Sequence, residues 1–148
     1  MGGRTFVKFH LDVGVGDVVL DPLEQALMRD WLGFAGISPP SVSMIQREQQ
    51  FAEKVHAYTL PRKAAPNSRV RDLVDMVLLI RSRTLESSRV VQALHATFDL
   101  RATHPVPRAL DPPPEEWRAP FARLAAECRL DISTSEAFGI LAEFCADL

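Results

Sequence analysis

Residues 5–13, TFVKFHLDV, alternate: Thr5, Val7, Phe9, Leu11 and Val13 fall on one side and Lys8, His10 and Asp12 on the other. A period of two is that of a half-buried β-strand with a polar second face. Gly14 and Gly16 mark the turn after it. Residues 22–33 place Leu23, Ala26, Leu27 and Trp31 at weakly helical spacing, closing near Gly33. Pro39-Pro40 breaks the chain, and SVSMI at 41–45 reads as a short strand. From Arg47 the period becomes helical, with Phe51, Ala52, Val55 and Tyr58 on one stripe and Pro61 as its stop. After the polar loop PRKAAPNS, Ser68 is positioned to cap a helix apolar at Val70, Leu73, Val74, Val77, Leu78 and Ile80. Its nearly all-round apolar centre predicts the central, buried helix.

Ser87 or Ser88 opens a further helix through Val90, Val91, Leu94 and Phe98. RATHPVPRALDPPP is a proline-rich, extended connector. Pro114 can start the next helix, which Pro120 must kink or offset, and Ser133-Thr-Ser-Glu136 reads as a capping box for the last, apolar at Phe138, Leu141, Phe144 and Cys145. The pattern predicts an α+β fold, a short sheet element over 1–45 followed by a mainly helical bundle of four or five helices over 46–148. A lone strand leaves its backbone donors and acceptors unfilled. With only one or two weak strands after it, residues 5–13 suggest a chain that is incomplete at its N-terminal side.

The bulk numbers narrow the function classes. The 148 residues are 47% hydrophobic and 24% charged, ordinary for a globular protein and enough to bury a sizeable core. A formal charge of −2 gives no general attraction to nucleic acid or an anionic membrane, so any such site must be a local basic patch. No apolar run approaches bilayer length and the first residues lack a signal-peptide pattern, which points to a cytoplasmic protein with no membrane partner. Cys128 and Cys145 are expected as free thiols, and the four histidines lack zinc-ligand spacing. Trp31 and Trp117 are expected to anchor core or connector rather than stack on bases.

One local conflict marks a candidate site. A helix start favours acids, yet Arg69 and Arg71 stand near the start expected at Ser68. Compensation must come from carboxylates or a bound phosphate. Asp72 and Asp75, three apart, share one face of that helix, and Glu53-Lys54 sits on the polar side of the preceding one. The bland alternative is a solvated or structural ion-pair cluster.

At KFHLDVGVGD, at the E-x-x-x-AEK-x-x-A stretch from Glu48 to Ala57 and at SRVRDLVDMVLLI, the chain resembles the AbiEii/AbiGii family of nucleotidyltransferase toxins. The proline-rich connector and the C-terminal helical segment add to the likeness, which covers the C-terminal portion of such a protein. The resemblance implies a nucleotidyltransferase-like sheet, and transfer of a nucleoside monophosphate from an NTP with Mg2+. It also implies a toxin–antitoxin or phage-defence setting, with tRNA as the acceptor of some relatives and an antitoxin as a partner. Carried over by position, Lys54 matches the phosphate-binding lysine, Asp72 the motif aspartate, and Asp12 a third carboxylate that could serve catalysis and metal. Catalysis then falls to Asp12, Lys54 and Asp72, and phosphate binding to Lys54, Arg69 and Arg71, with Glu53 and Asp75 in support. Arg71 stands where many relatives have lysine. The family's Gly-Ser turn and D-x-D pair are missing, since no D-x-D occurs in the chain. The expectation is therefore a truncated nucleotidyltransferase-like toxin, with little transferase activity unless another chain supplies the missing half. The alternative is a non-catalytic binding module or fragment that pairs with another chain, docking by strand addition at the edge of 5–13.

Overall fold

The computed structural model describes residues 8–11, 13, 18–62 and 67–148. Its first regular elements form an antiparallel hairpin. Strand β1 (Glu24–Leu27) pairs with β2 (Ser41–Met44), Glu24 opposite Met44 and Leu27 opposite Ser41. The strand expected at 41–45 is present. The helix expected over 22–33 is not: its first half is β1, and a 3-10 turn at Gly33–Ala35 follows, closed by Gly36 at a φ of 70°. Four apolar residues at loose spacing are a weak helical signal, and pairing of Glu24 and Ala26 with Met44 and Val42 overrides it.

The strand expected over 5–13 is also corrected where it can be seen. Lys8–Leu11 and Val13 are not in a strand, and Phe9, Leu11 and Val13 stand 79%, 78% and 76% exposed. Alternation specifies the faces a strand would show, but a strand also needs a neighbour for its backbone. Among the described residues β1 and β2 pair only with each other. Residues 5–7 and Asp12 lie outside the described residues.

Among the described residues five α-helices follow: α1 (Arg47–Thr59), α2 (Val70–Arg81), α3 (Ser87–Arg101), α4 (Arg118–Glu127) and α5 (Thr134–Ala146). The molecule is thus α+β and mostly helical. Helix α2 is central, packed on α1, α4 and α5, while α3 lies against α1. The core is built from α1 residues Phe51 and Ala52, α2 residues Leu73, Met76 and Val77, and Val90, Phe121 and Leu141 from α3, α4 and α5. Leu78, on the outer side of α2, is 36% exposed.

The helix ends follow local chemistry with one correction. Ser68 does not cap α2; Arg69 is the N-cap residue, and its N–H donates to Asn67 Oδ1 at 3.1 Å. The buried Glu48 of α1 accepts from the N–H of Glu86 at the start of α3, at 3.1 Å. A 3-10 turn at Glu115–Trp117 lets α4 begin at Arg118, so Pro120 falls in the first turn, where its missing N–H costs nothing. The capping box at Ser133 and Glu136 is formed in both directions.

Trp117 is an anchor, 2% exposed, with Nε1 donating to Asn67 O at 2.6 Å and its ring edge-on to Tyr58. The Tyr58 hydroxyl donates to Asp111 O at 2.9 Å, and burial, aided by Asp111, pushes its pKa up to about 12. Trp31 is no anchor: it is 70% exposed in the hairpin loop, with the Arg29 guanidinium over its ring. Among the described residues no helix is long and apolar enough to cross a membrane.

Candidate functional site

Lys54 is on the side of α1 that faces α2. Helix periodicity places Asp72 and Asp75 on one side of α2, and both reach it. The Lys54 ammonium lies 2.6 Å from Asp75 Oδ2 and 3.4 Å from Asp72 Oδ1. Asp72 Oδ2 is 3.7 Å from Arg69 Nη1 and is buried without a hydrogen-bond partner. The conflict between Arg69 and the start of α2 is thus met by a carboxylate in the first turn, Asp72.

On the other side of Lys54, Glu53 Oε2 receives both Nε and Nη2 of Arg101, at 3.0 and 2.7 Å. Arg101 is the last residue of α3, and Ala102 after it turns the chain with a φ of 45°. Between these pairs lies an open cleft of about 360 Å³, lined by Glu53, Lys54, His56, Arg69, Asp72 and Arg101 with two apolar neighbours.

The wall behind Arg101 is a hydrogen-bonded chain that sequence reasoning missed. The Thr59 hydroxyl donates to Val55 O at 2.8 Å, so it accepts from His104 Nε2, also at 2.8 Å. His104 Nδ1 then accepts from the Thr103 hydroxyl at 3.0 Å, and Thr103 Oγ1 accepts from His56 Nε2 at 2.8 Å. This order requires a neutral His104, whose Nδ1 accepts, while His56 only donates. Burial lowers the pKa of each, and for His56 the nearby His104 and Arg101 add to the effect. Phe98 packs edge-on against both rings. No sequence signal links His56 to a pair of residues 47 and 48 positions away; only the packing of the connector on α1 joins them.

Of the residues singled out in sequence, Glu53, Lys54, Arg69, Asp72 and Asp75 come together. Arg71 is exposed, makes no ion pair among the described residues and does not line the cleft. Asp12 lies outside the described residues.

The described carboxylates of the cleft do not suit a divalent ion. Asp72 and Asp75 are both engaged by the Lys54 ammonium, so a dication on either would sit beside a positive charge. Among the described residues no group of three or more His, Cys, Asp or Glu is placed to hold a metal. What the cleft can do is present a lysine charge held at a defined place. Lysine has three donors, and the two aspartates use two. The third, with Arg69, is available to an anion.

Comparison with known proteins adds the family. Residues 1–143 match the family model described as "Nucleotidyl transferase AbiEii toxin, Type IV TA system". No curated protein matches the chain.

Proposed function

The chain belongs to the AbiEii family of nucleotidyl transferase toxins of type IV toxin–antitoxin systems, and from that membership we propose that its cleft receives the phosphates of an NTP. The observation that carries the reading is Lys54, held by Asp75 and Asp72 at the edge of an open, charged cleft. In this role Lys54 neutralises charge on the triphosphate, and Arg69 assists from the start of α2. Asp72 and Asp75 orient the ammonium and keep it beside the cleft. The reaction is attack of an acceptor hydroxyl on the α-phosphorus of the NTP, with pyrophosphate leaving. The acceptor to test first is tRNA, and the expected setting is cytoplasmic, under control of an antitoxin. Among the described residues no group of His, Cys, Asp or Glu is placed to hold Mg2+.

Titration calorimetry of the chain with each NTP in magnesium buffer tests the reading. Saturable heat is expected, with affinity falling roughly tenfold or more in Lys54→Ala, the size of one lost charge-assisted contact. Equal binding by the variant would refute the assignment. Transfer of label from an NTP to tRNA tests the acceptor separately.

A second reading, a binding module that pairs with another chain, is favoured by the hairpin. Its loop exposes Trp31 by 70% and Phe34 by 90%, and among the described residues the sheet has only two strands. That reading expects a stoichiometric complex that survives Lys54→Ala and fails when Trp31 and Phe34 are replaced by serine.

A further inference from the structure

We propose that Arg101 is a second phosphate ligand of the cleft, and that Glu53 is a resting counter-ion it exchanges for a phosphate of the bound NTP. The proposal rests on the nucleotide reading of this cleft. Around it, among the described residues, three cations (Lys54, Arg69, Arg101) face three carboxylates (Glu53, Asp72, Asp75). A polyphosphate entering such a site needs cation donors released from their acids. The acids are not equivalent. Asp72 and Asp75 both hold Lys54 in place, and losing them would release the group that defines the site.

Glu53 holds only Arg101 among these cations, and through one oxygen, Oε2, rather than by the two-oxygen fork that makes arginine–carboxylate pairs strong. Glu53 also directly precedes Lys54 on α1, so an anion reaching Lys54 meets the Glu53 charge beside it. Moving the guanidinium from Glu53 onto the phosphate offsets that repulsion. Arg101 suits the task. Its planar donors match phosphate oxygens, and its side chain is 38% exposed, within reach of the cleft. The left-handed Ala102 and the Thr103 and His104 bonds to α1 fix where α3 ends, at the cleft that Arg101 lines.

Calorimetric titration of the full chain with ATP, GTP, CTP and UTP in magnesium buffer, for wild type and for Glu53→Gln, Arg101→Gln, Arg101→Lys and Lys54→Ala, tests the exchange. Thermal melts by circular dichroism establish that each variant is folded. Glu53→Gln is expected to bind NTP roughly three- to tenfold tighter, Arg101→Gln roughly tenfold weaker, and Arg101→Lys between wild type and Arg101→Gln. The opposite signs are the signature, because a purely structural pair suffers from the loss of either partner. Weaker binding by both Glu53→Gln and Arg101→Gln therefore overturns the exchange. Wild-type affinity in Arg101→Gln, with binding lost in Lys54→Ala, overturns the role of Arg101 and leaves the Lys54 reading standing. Should Arg101→Gln not fold, Arg101→Lys decides alone: affinity equal to wild type overturns the need for the fork. No NTP heat from folded wild type overturns both.

Discussion

His56 is 5% exposed, and its Nε2 and both nitrogens of His104 are engaged in one chain of hydrogen bonds that ends on the α1 backbone. Adding a proton to His104 removes the acceptor that Thr103 uses, and charging His56 puts a cation near Arg101 and His104. Both folded-state values lie below the ordinary histidine value, so the unfolded chain binds protons more readily. Stability from this network is therefore complete above about pH 6.5, the unfolded value, and is lost as pH falls through the lower folded values. The expected outcome is a melting temperature steady from pH 8 to 7 that declines towards pH 5.5, with the decline reduced in His104→Gln. An equally steep decline in that variant would show that other groups carry it. Cys145 is a quieter case. Burial pushes its thiol up to about 11, which makes it a packing residue rather than a nucleophile.

At the scale of elements, α2 carries both the core and the site. Leu73, Met76 and Val77 are fully buried, while Asp72 and Asp75 on the adjoining side bind Lys54 of α1. Leu73→Ala should destabilise the fold by about 2–5 kcal/mol, the range for a buried leucine truncation. Leu78→Ala, at a position 36% exposed, should cost much less. Urea unfolding of the two variants checks the contrast, and equal midpoints would deny α2 its central place. Because the same helix aligns the acids, Leu73→Ala should also weaken any NTP binding indirectly.

At the scale of the molecule, the hairpin and the helical bundle are joined differently from the helices to one another. Of the residues before α1, Leu20 packs against the core cluster. Among the described residues the rest of the attachment is polar: Gln49 bonds to Val18 and Leu20, Gln46 Nε2 donates to Pro22 O, and the Arg47 N–H donates to Glu24. Chymotrypsin is therefore expected to cut first at the exposed Trp31 or Phe34, leaving a fragment that begins at Leu32 or Ala35 and keeps its helical circular dichroism. First cuts inside α1–α5, or loss of helicity after the hairpin is cut, would show that the bundle depends on the hairpin. The exposed apolar loop is also the feature that keeps the binding-module reading in play.

The sequence by itself determined α1 to α5, because each is a long periodic segment bounded by proline, serine or a capping box, and such signals are local. It also determined Lys54, Asp72 and Asp75 as a set worth joining, through the family motif and the three-residue spacing. It could not place residues 22–33, where a four-residue strand won by pairing with Ser41–Met44. It misjudged Trp31, whose exposure depends on what the hairpin loop packs against. Only tertiary structure brought Arg101 to Glu53 and His104 to His56, partners 48 residues apart, because a proline-rich connector carries no period that says which helix it will cross. Local pattern specifies what a segment can form and which face is apolar. Which polar groups then meet across the faces depends on how the helices stack, and in this chain that stacking sets the charge balance of the cleft.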